Sequence, residues 1–478
     1  MFGKTQKKER RVVLLASAKQ ITEEAAITKT LQQLLSHYGK SDYYGFHMPG
    51  HKRNIDLMGT ELPYEIDITE LEEFDDLHHA SGIILEAQKR AARLYHADET
   101  RFLVNGSTAG NLSAVMACTH LGDKILVARN CHKSIYNAIY LQEIQPIYIY
   151  PEFDKELQLN GEISSQDVAD ALRDNPDIRA VVIVSPTYDG VISDVAAIAK
   201  VVHHYNIPLI VDEAHGAHFG FDDYFTPNAN SKGADLVIHS IHKTLPSLTQ
   251  TALLHINGKI VDKKRVRFYL QMFQSSSPSY VLMASIDATM DLLENRREEV
   301  FDFYVKQLKN CRKKLQKLEH LRLIETEHYD KSKIIISVSH ANITSKELYN
   351  RLLREYHLQM EMVAGTYIVA MTSIGDTKEG FERLITALTE IDHELENKGK
   401  KVMISGEFPR LTMVYTSAQM SRISDELVQD YSGEFIATSY KYLYPPGIPI
   451  VVPGEKVTPK VMELLRAYQK AGFAIEEC

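Results

Sequence analysis

The chain of 478 residues is 44% hydrophobic and 24% charged, with a net charge of −9. That length predicts two or three domains, and the acidic balance argues against nucleic acid or an anionic membrane as the main partner while suiting a small cationic one. Cys118, Cys131, Cys311 and Cys478 are scattered without a CxxC pair, which argues against a disulfide framework or structural zinc and for a reducing cytoplasm.

Residues 1–60 form an N-terminal segment. Its basic start precedes a short apolar run at 12–18 that lacks a clear signal-peptide cleavage site. No stretch approaches the roughly 18 apolar residues of a membrane span, so a soluble, cytoplasmic protein is expected. A helix is predicted over residues 23–38, followed by a Gly/Pro/His-rich loop, FHMPGHK, at 46–52. Residues 61–300 alternate short apolar runs with amphipathic helical stretches. The strand candidates lie at 102–105, 124–130, 146–150, 180–185, 208–212, 235–240 and 251–256. Nearly continuous apolar strands alternating with helices predict an α/β large domain with a mostly parallel seven-stranded sheet, covered on both faces. A long charged helical run from about 285 leads to a small α+β domain over 301–400, with a boundary at KGKK (398–401). A Pro/Gly-rich stretch, YPPGIPIVVPGE, and a closing helix fall in a C-terminal domain over 401–478.

VDEAHGAH at 211–218 ends one strand with Asp212, at the carboxyl edge where open α/β sheets bind ligands. A carboxylate there is costly without a cation or donors, and a protonated pyridine nitrogen is such a cation. Taken alone, a solvated loop acid is the commoner reading. IHSIHK at 238–243 ends the following strand with Lys243, placed to form an imine with an aldehyde cofactor if burial and nearby cations favour its free amine. Most lysines are surface residues; the pairing with Asp212, one αβ unit earlier, sharpens the reading. Ser240 and His242 supply donors suited to a phosphate. NGSTAGNLSAV at 105–115 reads as a tight turn opening a helix, where backbone N–H groups, the helix dipole and the hydroxyls of Ser107 and Thr108 favour an anion. It is neither a GKS/GKT loop nor GxGxxG, and by itself would be ordinary helix capping. In RNCHKS at 129–134, His132 is a candidate to lie over a pyridine ring in a chain with no Trp, and taken alone an ordinary loop histidine is an equal reading. SPTYDG at 185–190 offers Thr187 as a donor to a ring oxygen. These elements together point to pyridoxal 5'-phosphate.

HSIHKTLPSLTQTA, with Ser240, His242, Lys243 and Gln250 in register, resembles the lysine motif of the Orn/Lys/Arg decarboxylase family of fold type I. FHMPGHK, DITELEEFDDLHHASG, LVNGSTAGN, SPTYDG, DEAHGAH and YPPGIPIVVPGE resemble further blocks of that family in the same order, from about residue 44 to 455. Pro246 and Ile238 depart from the lysine motif. The N-terminal wing of the large degradative members has no visible counterpart, so decamers built through it are not implied.

The resemblance implies an aspartate aminotransferase-like large domain with small α+β C-terminal domains. It implies that Lys243 holds the cofactor, Asp212 its ring nitrogen and His132 its ring face, with His215 also in contact. Ser107, Thr108, Ser240 and His242 would bind the phosphate. Ser275 and Ser276 of SSSPSY would reach the phosphate of a neighbouring subunit, in a homodimer or higher homo-oligomer with active sites between subunits. No metal is expected. The implied reaction is decarboxylation of a basic amino acid towards polyamines, arginine favoured over lysine or ornithine, with Lys243 or His242 returning the proton to Cα. Glu455, Glu70 and the Asp75–Asp76 pair are the candidate carboxylates for the substrate's distal cation. Transamination or β-elimination is the alternative within the fold, but no family-like Arg for an aminotransferase is found in the small domain. A non-catalytic polyamine sensor is the other alternative, and the intact Lys243, Asp212 and His132 weigh against it.

Overall fold

A computed structural model describes residues 42–477 except 47–49, 51, 53, 59–67, 71–73, 397–403, 405, 424–434 and 444–446. The helix expected over 23–38 and the KGKK boundary lie outside the described residues. The chain divides into one unit of Met1–Tyr44, of which only Asp42–Tyr44 are described, and a second of Gly45–Cys478, which holds the sheets and helices that position the site.

Seven strands form the central sheet: β1 (Glu99–Leu103), β2 (Lys124–Ala128), β3 (Gln145–Ile149), β4 (Ile178–Val184), β5 (Leu209–Asp212), β6 (Leu236–His239) and β7 (Ala252–Ile256). Their order is β1-β7-β6-β5-β4-β2-β3. All neighbours pair in parallel except those of β7, which is antiparallel to both β1 and β6. The expected mostly parallel sheet is found, with every expected strand in it. Val181–Ile183, Leu209–Val211 and Leu236–Ile238 are fully buried, as strands covered on both faces must be. The crossover helices start where the sequence supplies caps: Ser164 accepts from the Gln166 and Asp167 N–H groups, and Asp194 accepts from that of Ala197.

Helix α1 (Gly106–Cys118) follows β1. The 36-residue helix α2 (Tyr280–Leu315) runs without a break past residue 300 into the C-terminal part. There an antiparallel sheet of β8 (Arg322–Ile324), β9 (Lys333–Ser337), β10 (Met362–Val363) and β11 (Tyr367–Met371) is ordered β8-β9-β11-β10. Beyond it a three-stranded sheet, Lys441–Leu443 between Ile448–Val451 and Ile475–Glu477, packs with the helix Pro459–Lys470. Among the described residues no helix is long and apolar enough to cross a membrane.

Because β1, β2, β4, β5 and β6 run the same way, the loops leaving them open on one edge of the sheet. Two buried ties join that edge to the C-terminal parts. His218 Nε2 lies 3.0 Å from Asp330, which also takes Lys333 Nζ at 3.2 Å. The Arg129 guanidinium donates to the carbonyls of Pro449 (2.5 Å) and Ile450 (3.1 Å) and meets Glu455 at 3.3 Å.

Candidate active site

Strand β5 ends on Asp212, which is 3% exposed. Its Oδ2 accepts from Asn111 Nδ2 at 2.8 Å and its Oδ1 from the Ala214 N–H at 3.1 Å. Burial pushes this carboxyl up from its ordinary range, against the pull of the Lys243 charge and the two donors. Among the described residues no cation stands within ion-pair distance of it. The next strand, β6, delivers Lys243 on the short turn Ile241–Thr244, with Nζ 3.0 Å from His215 Nε2. Burial draws the Lys243 ammonium down, opposed by the charges of Asp212 and Glu361, which raises the share of nucleophilic free amine over that of an exposed lysine. His215 Nδ1 is buried without a hydrogen-bond partner, and burial first, then Lys243, holds that ring neutral.

The turn before α1 requires Gly106 at φ +72°. Asn105, which precedes the helix, makes no side-chain cap, so the first-turn N–H groups face outward with Ser107 and Thr108 beside them. The Ser107 and Ser240 hydroxyls, from two different loops, stand 2.5 Å apart. His242 is fixed with Nδ1 2.7 Å from the Thr251 carbonyl, which places the proton on Nδ1. His132 caps the helix Lys133–Leu141 with Nδ1, accepting from the Ser134 N–H (3.2 Å) and lying 2.9 Å from its hydroxyl. Burial, with the Lys243 and Lys133 charges, brings its pKa down to about 3, so the imidazole is neutral with its proton on Nε2.

Four residues at this edge carry no mark in the sequence reading. Asn111 donates from one amide nitrogen to both Asp212 and Ser134 Oγ (2.9 Å), so one side chain sets the acid and, through Ser134, the His132 tautomer. It stands one helical turn after Ser107 in NGSTAGN, and that spacing is the signal that could have found it. Ser134 is the second. Glu361, from the segment before β10, takes a hydrogen bond from the Tyr188 hydroxyl and raises the Lys243 amine by its charge; nothing local in LQMEMV marks it. Gly50 of FHMPGHK donates its N–H to the His242 carbonyl at 2.5 Å, and a Cβ there would stand 2.5 Å from Leu245 O, so only glycine lets that loop lie on the lysine turn.

Of the remaining expected residues, Thr187 lies on the same edge with its hydroxyl donating to Asp189 (2.6 Å) and accepting from the Val191 N–H (2.9 Å). Ser275 and Ser276 are exposed, and the Ser275 N–H reaches Asn105 Oδ1 (3.2 Å) just before the phosphate turn. Glu455 is fully buried on Arg129 and the Val452 N–H (2.7 Å), a structural ion pair. Asp75 Oδ1 and Oδ2 accept the N–H groups of Asp76, Ser81, Gly82 and Ile84, and Asp76 caps Leu77–His79; both acids organise their own loop. Glu70 takes the Thr69 hydroxyl on one oxygen (2.8 Å), while the other is buried without a partner.

The edge therefore holds a buried carboxylate with no cation at ion-pair distance among the described residues, a buried amine of lowered basicity and two hydroxyls meeting at an open helix N-terminus. One molecule with a charged ring nitrogen, an aldehyde and a phosphate meets all three needs, and the sheet beneath is that of the fold type I pyridoxal-phosphate enzymes. Among these, the chain belongs to the Orn/Lys/Arg decarboxylase family, whose major domain matches residues 29–356 and whose C-terminal domain matches 399–474. It is a pyridoxal-phosphate-dependent amino-acid decarboxylase. It is 33% identical over 460 residues to the arginine decarboxylase of Bacillus anthracis, covering 92% of this chain and 93% of that one. Against the arginine decarboxylase of Bacillus subtilis it is 33% identical over 450 residues, covering 90% and 91%. The fold matches that of the constitutive lysine decarboxylase of E. coli with a TM-score of 0.71 at 18% identity, over 98% of this chain and 79% of that one.

Proposed function

We propose that this enzyme decarboxylates arginine in the cytoplasm, supplying polyamine synthesis, as a homodimer or larger homo-oligomer. Lysine and ornithine would be poorer substrates. Support for arginine comes from the relatives of that name across nine-tenths of the chain. The observation that carries the chemistry is the convergence of Lys243 and Asp212 from adjacent strand ends.

When bound, pyridoxal phosphate supplies the electron sink for breaking the Cα–carboxylate bond. Lys243 would hold its aldehyde carbon and Asp212 would keep its ring nitrogen charged. Ser107, Thr108, Ser240 and the first-turn N–H groups of α1 would hold its phosphate, with Ser275 and Ser276 serving a neighbouring subunit. His132 would cover the ring. Being neutral, it gives the substrate carboxylate no counter-charge that would favour keeping it. His215 Nε2, 3.0 Å from Lys243 Nζ, would orient that amine by a hydrogen bond, and Lys243 or His242 would return a proton to Cα. Glu361 is the acid we assign to the substrate's distal cation, because its charge already acts on Lys243 whereas Glu455 is engaged by Arg129.

The test is release of CO2 from arginine, lysine and ornithine by the cofactor-loaded enzyme, with keto-acid formation measured in parallel. Arginine is expected to give the highest kcat/KM, with CO2 and no keto acid. If none of the three releases CO2 while the cofactor is bound, the proposed substrates are wrong.

A further inference from the structure

Beside the catalytic edge lies a second cavity of about 130 Å³. Its walls come from the loops after β2 and β4 (Asn130, Thr187–Asp189), the residues 362–367, 404 and 406–409, and the C-terminal sheet. Lys243, Asp212, His132 and His215 do not line it. It is smaller than the roughly 300–1,000 Å³ typical of pockets for drug-sized ligands.

Its chemistry is one-sided. Most of the wall is apolar, including Met362, Ile404, Phe408, Ile448 and Leu464. Among its polar groups, beside hydroxyls that already donate, stand acceptors with room for donors. Asn130 is only 4% exposed, and its Oδ1 has no hydrogen-bond partner. Asn160 gives its Nδ2 to the Gly406 carbonyl (2.9 Å), and its buried Oδ1 is likewise without a partner. Asp189, 9% exposed, takes the Thr187 hydroxyl on one oxygen (2.6 Å) and the Tyr367 hydroxyl on the other (2.7 Å). A carboxylate offers about four acceptor positions, and two hydroxyls fill half of them. Glu407 adds a second acid at the exposed rim. Among the described lining residues there is no Lys, Arg or His. A buried carboxylate paired only with hydroxyls is an expensive arrangement that a cation with several N–H donors would complete.

We propose that this cavity is a binding site for a small aliphatic amine, its ammonium on Asp189 and the amide oxygens of Asn130 and Asn160, its methylene chain against the apolar wall. The site is joined to the catalytic edge by Tyr188, which lines the cavity, packs with its ring centre 4.7 Å from that of His215 and donates its hydroxyl to Glu361. Occupancy thereby reaches the groups around Lys243 without displacing anything from them.

The cofactor-loaded enzyme is titrated calorimetrically with 1,4-diaminobutane, with 1-butanol as the uncharged probe. Wild type and Glu361→Gln, which removes the acid assigned to the catalytic site, are expected to share one binding event at this cavity, apart from any at Lys243. Asp189→Asn should weaken that event at least tenfold, and Ala364→Leu, which fills the cavity from its wall, should lose it. Folding of each variant is followed by its melting curve; if Asp189→Asn fails to fold, Ala364→Leu still decides. Diamine binding lost in Glu361→Gln but kept in Ala364→Leu puts the amine in the catalytic cavity and overturns the proposal. Equal binding of 1-butanol, or no binding of the diamine, overturns it as well.

Discussion

Asn111→Ala tests the arrangement of the catalytic edge at the side chain that links Asp212 to Ser134. The Asn111 amide reaches Asp212 Oδ2 at 2.8 Å and Ser134 Oγ at 2.9 Å. A hydrogen bond to a charged partner contributes about 1.5–3 kcal/mol, and tenfold corresponds to about 1.4 kcal/mol. Losing it raises the proton affinity of an acid that burial has already raised. Asp212 then competes for the proton that should stay on the ring nitrogen. Cofactor affinity, measured by dialysis and fluorescence, should fall by roughly ten- to a hundredfold, and kcat should fall with it. Ser134→Ala removes only the link to His132 and should do less. Because both variants act through Asn111, the double variant should fall short of the sum of the two. Unchanged cofactor affinity and an unchanged pH profile in Asn111→Ala would refute the coupling of Asp212 to this amide.

Lys243→Ala should abolish turnover and the visible absorbance of the bound cofactor imine while leaving the melting temperature near that of the wild-type apoprotein; an active variant removes the mechanism. Glu455→Ala strands the buried Arg129 charge, so about 3–5 kcal/mol of stability should be lost, seen as a large drop in denaturant midpoint. A normal midpoint with a raised KM would instead return Glu455 to substrate recognition. Glu213→Gln addresses pH. Burial raises Glu213 from 4.5 to about 8 and lowers its neighbour His239 from 6.5 to about 3. The raised acid makes the folded state hold a proton the unfolded chain releases, so its contribution is lost as pH rises towards 8; the histidine acts in the opposite sense, below 6.5. Apoprotein melts between pH 6.5 and 8 isolate the first effect: wild type should lose stability across that window and Glu213→Gln should lose less.

The gathering of Lys243, Asp212, Ser107 and Ser240 at one sheet edge was legible because each stands in a local pattern. One apolar strand ends on Asp212 and the next leads within four residues to Lys243, a Gly/Ser/Thr turn opens α1, and parallel strands bring such ends to one edge by geometry alone. The surroundings of the candidate carboxylates were not, because the fate of a carboxylate depends on which donors the fold brings to it. Asp75 and Glu455 sit in stretches that look chemical, yet one collects backbone N–H groups in its own loop and the other neutralises an arginine 326 positions away. Glu361 sits in an ordinary-looking stretch and acts on Lys243 only because the small sheet folds back over the sheet edge.

That division has a consequence for how the two ends respond to change. The groups proposed to hold the cofactor hang on loops of one sheet whose central strands β5 and β6 are buried throughout. Glu361, Asp189 and Asn130 depend on packing between the large domain, the small sheet and the C-terminal strands, fixed by two buried ion networks at Asp330 and Arg129. Loosening a tie leaves Lys243 and Asp212 on adjacent strand ends, since that register belongs to β5 and β6. It shifts Glu361 and the wall of the second cavity. Substitutions at Asp330 should therefore impair substrate affinity and amine binding before they weaken cofactor binding, and the reverse order would mean that the cofactor loops are themselves held by the C-terminal parts.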